Sequence, residues 1–173
     1  MDLKLDFVLS AYTTAQSMIR FSDQKAALIF LFYGIFLALL GLRVGRLLDA
    51  LQAPAVGGLV VVGAALLVIF FGLMCHSLMY ALRTIAPTFG MASRSPDHRG
   101  LYWFEQVRRR DVRDYVQTLR GLSDADLLEE MAHELYAVQA ITQAKFDRVQ
   151  RAVWSAAAGL TVWQVLVVVT FFL

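Results

Sequence analysis

The chain has 173 residues, of which 58% are hydrophobic and 17% charged, with a formal net charge of +2 and a mean hydropathy of +0.58. Soluble domains carry about 25% charged and roughly 45–50% apolar residues, so this composition points to a membrane protein and excludes a multidomain enzyme. Residues 26–42, 50–82 and 152–173 contain no Asp, Glu, Lys or Arg, and because about 20 apolar residues cross the hydrocarbon, each gap predicts one crossing.

The expected fold class is therefore an all-α membrane protein with three transmembrane helices and a helical cytoplasmic module. In residues 1–25, Leu5, Val8, Leu9, Tyr12, Ala15 and Ile19 recur at helical spacing and predict an amphipathic helix, on the membrane or against the cytoplasmic module. Ser22 and Asp23 follow with N-capping oxygens, which predicts a helix–turn–helix junction before the first span at 26–45. Asp23 and Lys25 read as a cap and an interfacial anchor, with a gating or ligand role as the alternative. Lys4, Arg20 and Lys25 balance Asp2, Asp6 and Asp23, and the apolar run after them exceeds a leader's h-region, so no cleaved leader is expected.

A short outer loop is expected at 46–53 and the second span at 54–83, with Pro54 suited to the first helical turn. This span exceeds one perpendicular crossing, so it tilts or protrudes. Its lone Cys75 has no intrachain partner with which to form a disulfide. His76 beside it is an intramembrane ionisable group, read either as bonded to a carbonyl or neighbouring helix or as a gating group.

Beyond Arg83, the cluster Pro87, Gly90, Ser93, Ser95, Pro96 and Gly100 breaks the helix and forms a linker. Leu101–Gly121 is helix-compatible again, Gly121 stops it, and Ser123 with Asp126 caps the next helix. From Asp124 onward there is no proline, and Gly159 is the only glycine. Leu128, Met131, Leu135, Val138, Thr142, Val149 and Ala152 follow a heptad-like spacing, with Glu129, Glu130, His133 and Glu134 on a solvated face. The prediction is one helix of about 50 residues, about 75 Å long, running from the module at 84–151 into the third span at 152–173. Lys145 reads as a snorkelling anchor or a gating group. Most Lys and Arg lie between Arg83 and Arg151, so the positive-inside rule places that module and the N-terminus in the cytoplasm.

The chain has no Walker loop, dinucleotide fingerprint, paired-cysteine motif or nucleophile elbow, and His76, His98 and His133 lack metal-ligand spacing. No catalytic residue, metal site, cofactor, DNA or RNA partner is expected. Tyr102, Trp103 and Phe104 stand just before Arg108, Arg109 and Arg110. Aromatic faces beside guanidinium groups suit a nucleotide, and they equally suit an anionic membrane surface; both readings stay open.

Ile19-Arg20-Phe21-Ser22-Asp23-Gln24-Lys25-Ala26-Ala27 resembles the F-x-D-x-K-A junction of the membrane effectors of Pycsar, a bacterial antiphage system. Gly100-Leu101-Tyr102-Trp103-Phe104, then Leu122-Ser123-Asp124-Ala125-Asp126-Leu127-Leu128, then Lys145-Phe146 continue that resemblance in order over nearly the whole chain. It implies an effector in the bacterial inner membrane, activated by cyclic CMP or cyclic UMP from a partner nucleotide cyclase through the diffusible messenger. Membrane impairment and abortive infection would follow. A β-roll nucleotide-binding domain needs roughly a hundred residues with strand alternation, so the ligand would occupy a helical module or a subunit interface of a homo-oligomer. Trp103, Phe104, Arg108, Arg109 and Arg110 are the candidate ligand residues, and Asp23, Lys25, His76 and Lys145 the candidate gating or interface residues. Two rivals stay open: a membrane-anchored scaffold that docks a partner without permeation, and a membrane enzyme using His76 or His133.

Overall fold

Side chains recurring alternately every three and four residues make one seam along a helix, the spacing that knobs-into-holes packing uses. The computed structural model describes residues 3–52, 57–86, 101 and 107–172, and among them every regular element is helical: α1 (Leu3–Leu51), α2 (Gly58–Ile85), α3 (Val112–Arg120) and α4 (Asp124–Phe171). The three long helices each carry such a seam. On α2 it runs through Val60, Gly63, Leu67, Phe70, Met74, Ser77, Ala81 and Thr84, all buried or half-buried. On α1 it runs from Leu5 and Val8 through Ser22 and Ala26 to Tyr33 and Leu40, and on α4 from Val138 through Val149 and Ala152 to Trp163 and Thr170.

α1, α2 and α4 are long and apolar enough to cross a membrane, yet only 22% of the most apolar window of each is buried. Leu28, Leu31, Val61, Val68 and Val168 instead point outward, as a lipid environment requires. α2 has 28 residues, a length of about 42 Å against a hydrocarbon core of about 30 Å.

The chain divides into two compact units, Met1–Phe21 with Pro87–Lys145, and Ser22–Ala86 with Phe146–Leu173. The second unit holds the apolar core, in which Ala26, Tyr33, Phe70, Met74, Ala152 and Trp163 cluster. The Trp163 ring lies edge-on to Phe36 at 5.5 Å and tilted against Phe70 at 5.8 Å. Small residues let the helices approach: a Cβ on Gly159 would meet the Tyr33 hydroxyl at 3.4 Å, and one on Gly63 would meet Leu47 Cδ1 at 3.0 Å. Between α2 and α4 the Ser77 hydroxyl donates to the Ala152 carbonyl at 2.8 Å, an interhelical bond of the kind that joins helices in lipid.

The first unit buries Val8, Ala15, Leu101, Leu135, Val138 and Ile141. α4 starts where the sequence predicts. The Ser123 amide and hydroxyl donate to Asp126 Oδ2 at 3.1 and 2.6 Å, and the Asp126 amide donates back to Ser123 Oγ at 3.2 Å, a reciprocal cap. Ser123→Ala is expected to destabilise this unit by about 1 kcal/mol, measurable as a lower urea midpoint at unchanged m-value.

Several expectations are corrected. No turn forms at Ser22 and Asp23: α1 runs through them without Gly or Pro, its amides already bonded within the helix, and Ser22 faces inward at 1% exposure. α1 also continues to Leu51, inside the expected loop at 46–53. α2 begins at Gly58, after an extended Gly57, and Pro54 lies outside the described residues. The helix-compatible stretch Leu101–Gly121 is interrupted at Asp111, whose extended backbone and side chain, accepting from the Arg113 amide at 2.7 Å, start α3 only at Val112. Glu130 and Glu134 are not on a solvated face; they are 5% and 3% exposed, because they fall on the α4 seam beside Leu135 and Val138.

Candidate functional site

In the second unit, Arg83 closes the last turn of α2, and Arg148 and Arg151 lie one turn apart on α4. The Arg83 and Arg151 guanidinium carbons sit 5.9 and 5.7 Å from the centroid of the Tyr80 ring, where the ring's negative face attracts cations. Arg151 also donates to the Tyr80 hydroxyl at 3.4 Å, and Arg148 donates to the Arg83 carbonyl at 2.8 Å. Among the described residues these guanidinium groups are thus held by a carbonyl, a hydroxyl and a ring rather than by a carboxylate.

His76 extends the cluster, its ring 4.9 Å from that of Tyr80 and its Nδ1 2.8 Å from Ser155 Oγ on α4. The Ser155 hydroxyl also lies within hydrogen-bond distance of the Arg151 carbonyl, at 3.0 Å. His76 thereby ties α2 to α4, one helical turn from Tyr80.

In the first unit, Leu101 is pinned at both backbone groups. Its amide donates to Glu130 Oε1 on α4 at 2.9 Å, and its carbonyl accepts from the Tyr115 hydroxyl on α3 at 3.1 Å. Both bonds are local anchors for the aromatic and arginine stretch that follows. A small cavity of about 110 Å³ lies elsewhere in this unit, lined by Val8, Leu9, Tyr12, Met131 and Glu134, below the roughly 300 Å³ at which ligand pockets begin.

Trp103 and Phe104 lie outside the described residues. Arg108 and Arg109 are exposed and Arg110 is half-buried, on a turn closed by the Arg110 amide donating to the Val107 carbonyl at 3.1 Å. This turn ends at the Asp111 cap, so the three arginines share one short segment. Asp23 is half-buried and Lys25 exposed on α1. Lys145 is 7% exposed, a correction to the snorkelling expectation, because its position falls on the inward α4 seam between Ile141 and Val149. The structure does not join Asp23 and Lys25, in the second unit, with Arg108–Arg110 and Lys145, in the first, in one compact unit.

Tyr80, Arg83, Arg148 and Arg151 do not stand out as a group in the sequence, where Arg83 and Arg151 only bound the basic segment between two uncharged runs. Arg83 and Arg151 are each the first charge beyond an uncharged run, with Tyr80 and Arg148 one turn away from them, so a packed pair of spans brings the four to one level. Glu130 was missed because its neighbours on the helix surface are acidic and suggested water.

A family model described as Pycsar effector protein domain matches residues 7–173. No curated protein and no solved structure matches the chain.

Proposed function

This chain belongs to the Pycsar effector family, a family of antiphage defence effectors, and from that premise we propose that it is the membrane-impairing effector of a cyclic-pyrimidine signal. In this reading the N-terminus and the segment between α2 and the third span lie in the cytoplasm, and the spans lie in the bacterial inner membrane. A cyclic CMP or cyclic UMP made by a partner nucleotide cyclase binds at Trp103, Phe104 and Arg108–Arg110, where aromatic faces take the base and guanidinium groups the phosphate. The spans of a homo-oligomer then rearrange, and the cell stops growing before phage matures.

The observation that carries the reading is helix continuity. α1 passes from Phe21 to Ser22 and α4 from Lys145 to Phe146 without a break, so two helices each contribute residues to both compact units. A ligand that reorganises the first unit has an unbroken helix through which to act on a span. A second support is the outward apolar surface of all three spans, which other copies or lipid must cover.

Moving a two-state device from 1:99 to 99:1 takes about 5.5 kcal/mol of differential binding. One mononucleotide makes few contacts, and several equivalent sites in an oligomer supply the difference. When cyclic CMP or cyclic UMP is raised in cells expressing the chain, the membrane should depolarise and an impermeant dye should enter. Intact potential with every cyclic nucleotide tried would end the effector mechanism, and capture of a partner without growth arrest would favour a scaffold.

A further inference from the structure

Arg83 is the first charged residue after the uncharged run that ends at Leu82, and Arg151 is the last before the run that begins at Ala152. With α2 and α4 crossing a bilayer, both guanidinium groups stand at the edge of the hydrocarbon, the level of the lipid phosphates. Their packing on the one Tyr80 ring fixes two planar, permanently charged forks beside each other without a carboxylate among their described partners. Arg148, bonded to the Arg83 carbonyl, adds a third positive charge one turn along α4. Three cations gathered this way repel one another unless an anion is shared between them, and a guanidinium fork matches the oxygens of a phosphate.

We propose that Arg83, Arg148, Arg151 and Tyr80 form a binding site for a phosphodiester monoanion, supplied at this level by the headgroup of an anionic phospholipid. His76, bonded to Ser155 and set edge-on against Tyr80, positions the ring on which the arginines rest. Tyr80 places its polar end among the arginines while its ring lies at the apolar boundary, the habit of tyrosine at membrane interfaces. The site is separate from the Trp103 to Arg110 stretch and requires only that α2 and α4 span the membrane, so it stands or falls without cyclic-nucleotide activation.

The full chain in zwitterionic detergent, titrated with short-chain phosphatidylglycerol and, separately, phosphatidylcholine, tests the site by native mass spectrometry. Phosphatidylglycerol should bind preferentially, because the choline cation beside the same phosphodiester in phosphatidylcholine opposes the arginines, and R83Q/R151Q should weaken it by more than about tenfold, since each interfacial arginine is worth roughly fivefold. R113Q/R120Q, the same charge loss at exposed positions of α3, should leave the preference in place. R83K/R151K, which keeps charge but not the fork, guards against misfolding of the glutamine variant and should bind more weakly than wild type. Soluble cyclic CMP is the remaining arm: displacement of phosphatidylglycerol by it assigns the same phosphodiester chemistry to the soluble source, and no displacement assigns it to lipid. Equal binding of the two lipids, or a preference that survives in R83Q/R151Q, overturns the proposal.

Discussion

Trp163→Ala is expected to destabilise the membrane-spanning unit by about 3–5 kcal/mol, while Trp154→Ala, nine residues earlier on the same helix, changes it by less than about 0.5 kcal/mol. The two tryptophans share composition, helix and span, and differ in what they touch. Trp163 is 8% exposed and contacts Phe36 of α1 and Phe70 of α2, so its ring joins three helices. Trp154 is 69% exposed. In lipid an exposed apolar side chain gains nothing by packing against another helix except dispersion and shape fit, so removing a ring that fills the three-helix contact leaves a cavity that lipid cannot enter. Thermal unfolding in detergent, followed by far-UV circular dichroism, distinguishes the two variants; equal midpoints would contradict the packing described for Trp163.

Glu130→Ala is expected to release Leu101 and raise the exchange rate of its amide by about 10- to 100-fold, because a buried amide bonded to a carboxylate loses about 1.5–3 kcal/mol of stabilisation. The bond is 2.9 Å long between groups that are 2% and 5% exposed, so water does not readily replace it. Glu130→Gln keeps a carbonyl acceptor and should have a smaller effect. Tyr115→Phe removes the 3.1 Å bond to the other side of the same residue, and its effect should be less than additive with Glu130→Ala, since both act through Leu101. Hydrogen exchange resolved at Leu101 reads all three variants. Unaltered exchange in Glu130→Ala would remove Glu130 as the anchor of the stretch that leads to the candidate nucleotide residues.

The candidate site divides in the same way between what a linear pattern reveals and what it hides. Arg108, Arg109 and Arg110 are legible because they adjoin one another, and the capped helix after them is legible from Ser123 and Asp126. The pairing of Arg83 with Arg148 and Arg151 is not, because the helices that bring them together are far apart in the chain and no local rule sets which faces meet. Glu130 illustrates the same limit. An acidic residue among acids reads as solvated until the Leu101 backbone amide donates a hydrogen bond to its carboxylate.

The three crossings were determined by sequence alone, since the absence of charge over 26–42, 50–82 and 152–173 leaves hydrocarbon as the only favourable surroundings and a helix as the only way to satisfy the backbone there. Sequence also determined the start of α4 and its passage into the last span, through a local cap and the lack of any breaker before the bilayer. Tertiary structure alone decided the fate of polar residues that fall on the helix seams. Ser22 could cap a helix or lie inside one, and the seam shared by Val8, Ala15 and Ala26 settled it in favour of burial. Ser77 and His76 found partners on α4 because a polar group with little water nearby must bond to whatever the neighbouring helix presents, and only packing determines which residue that is.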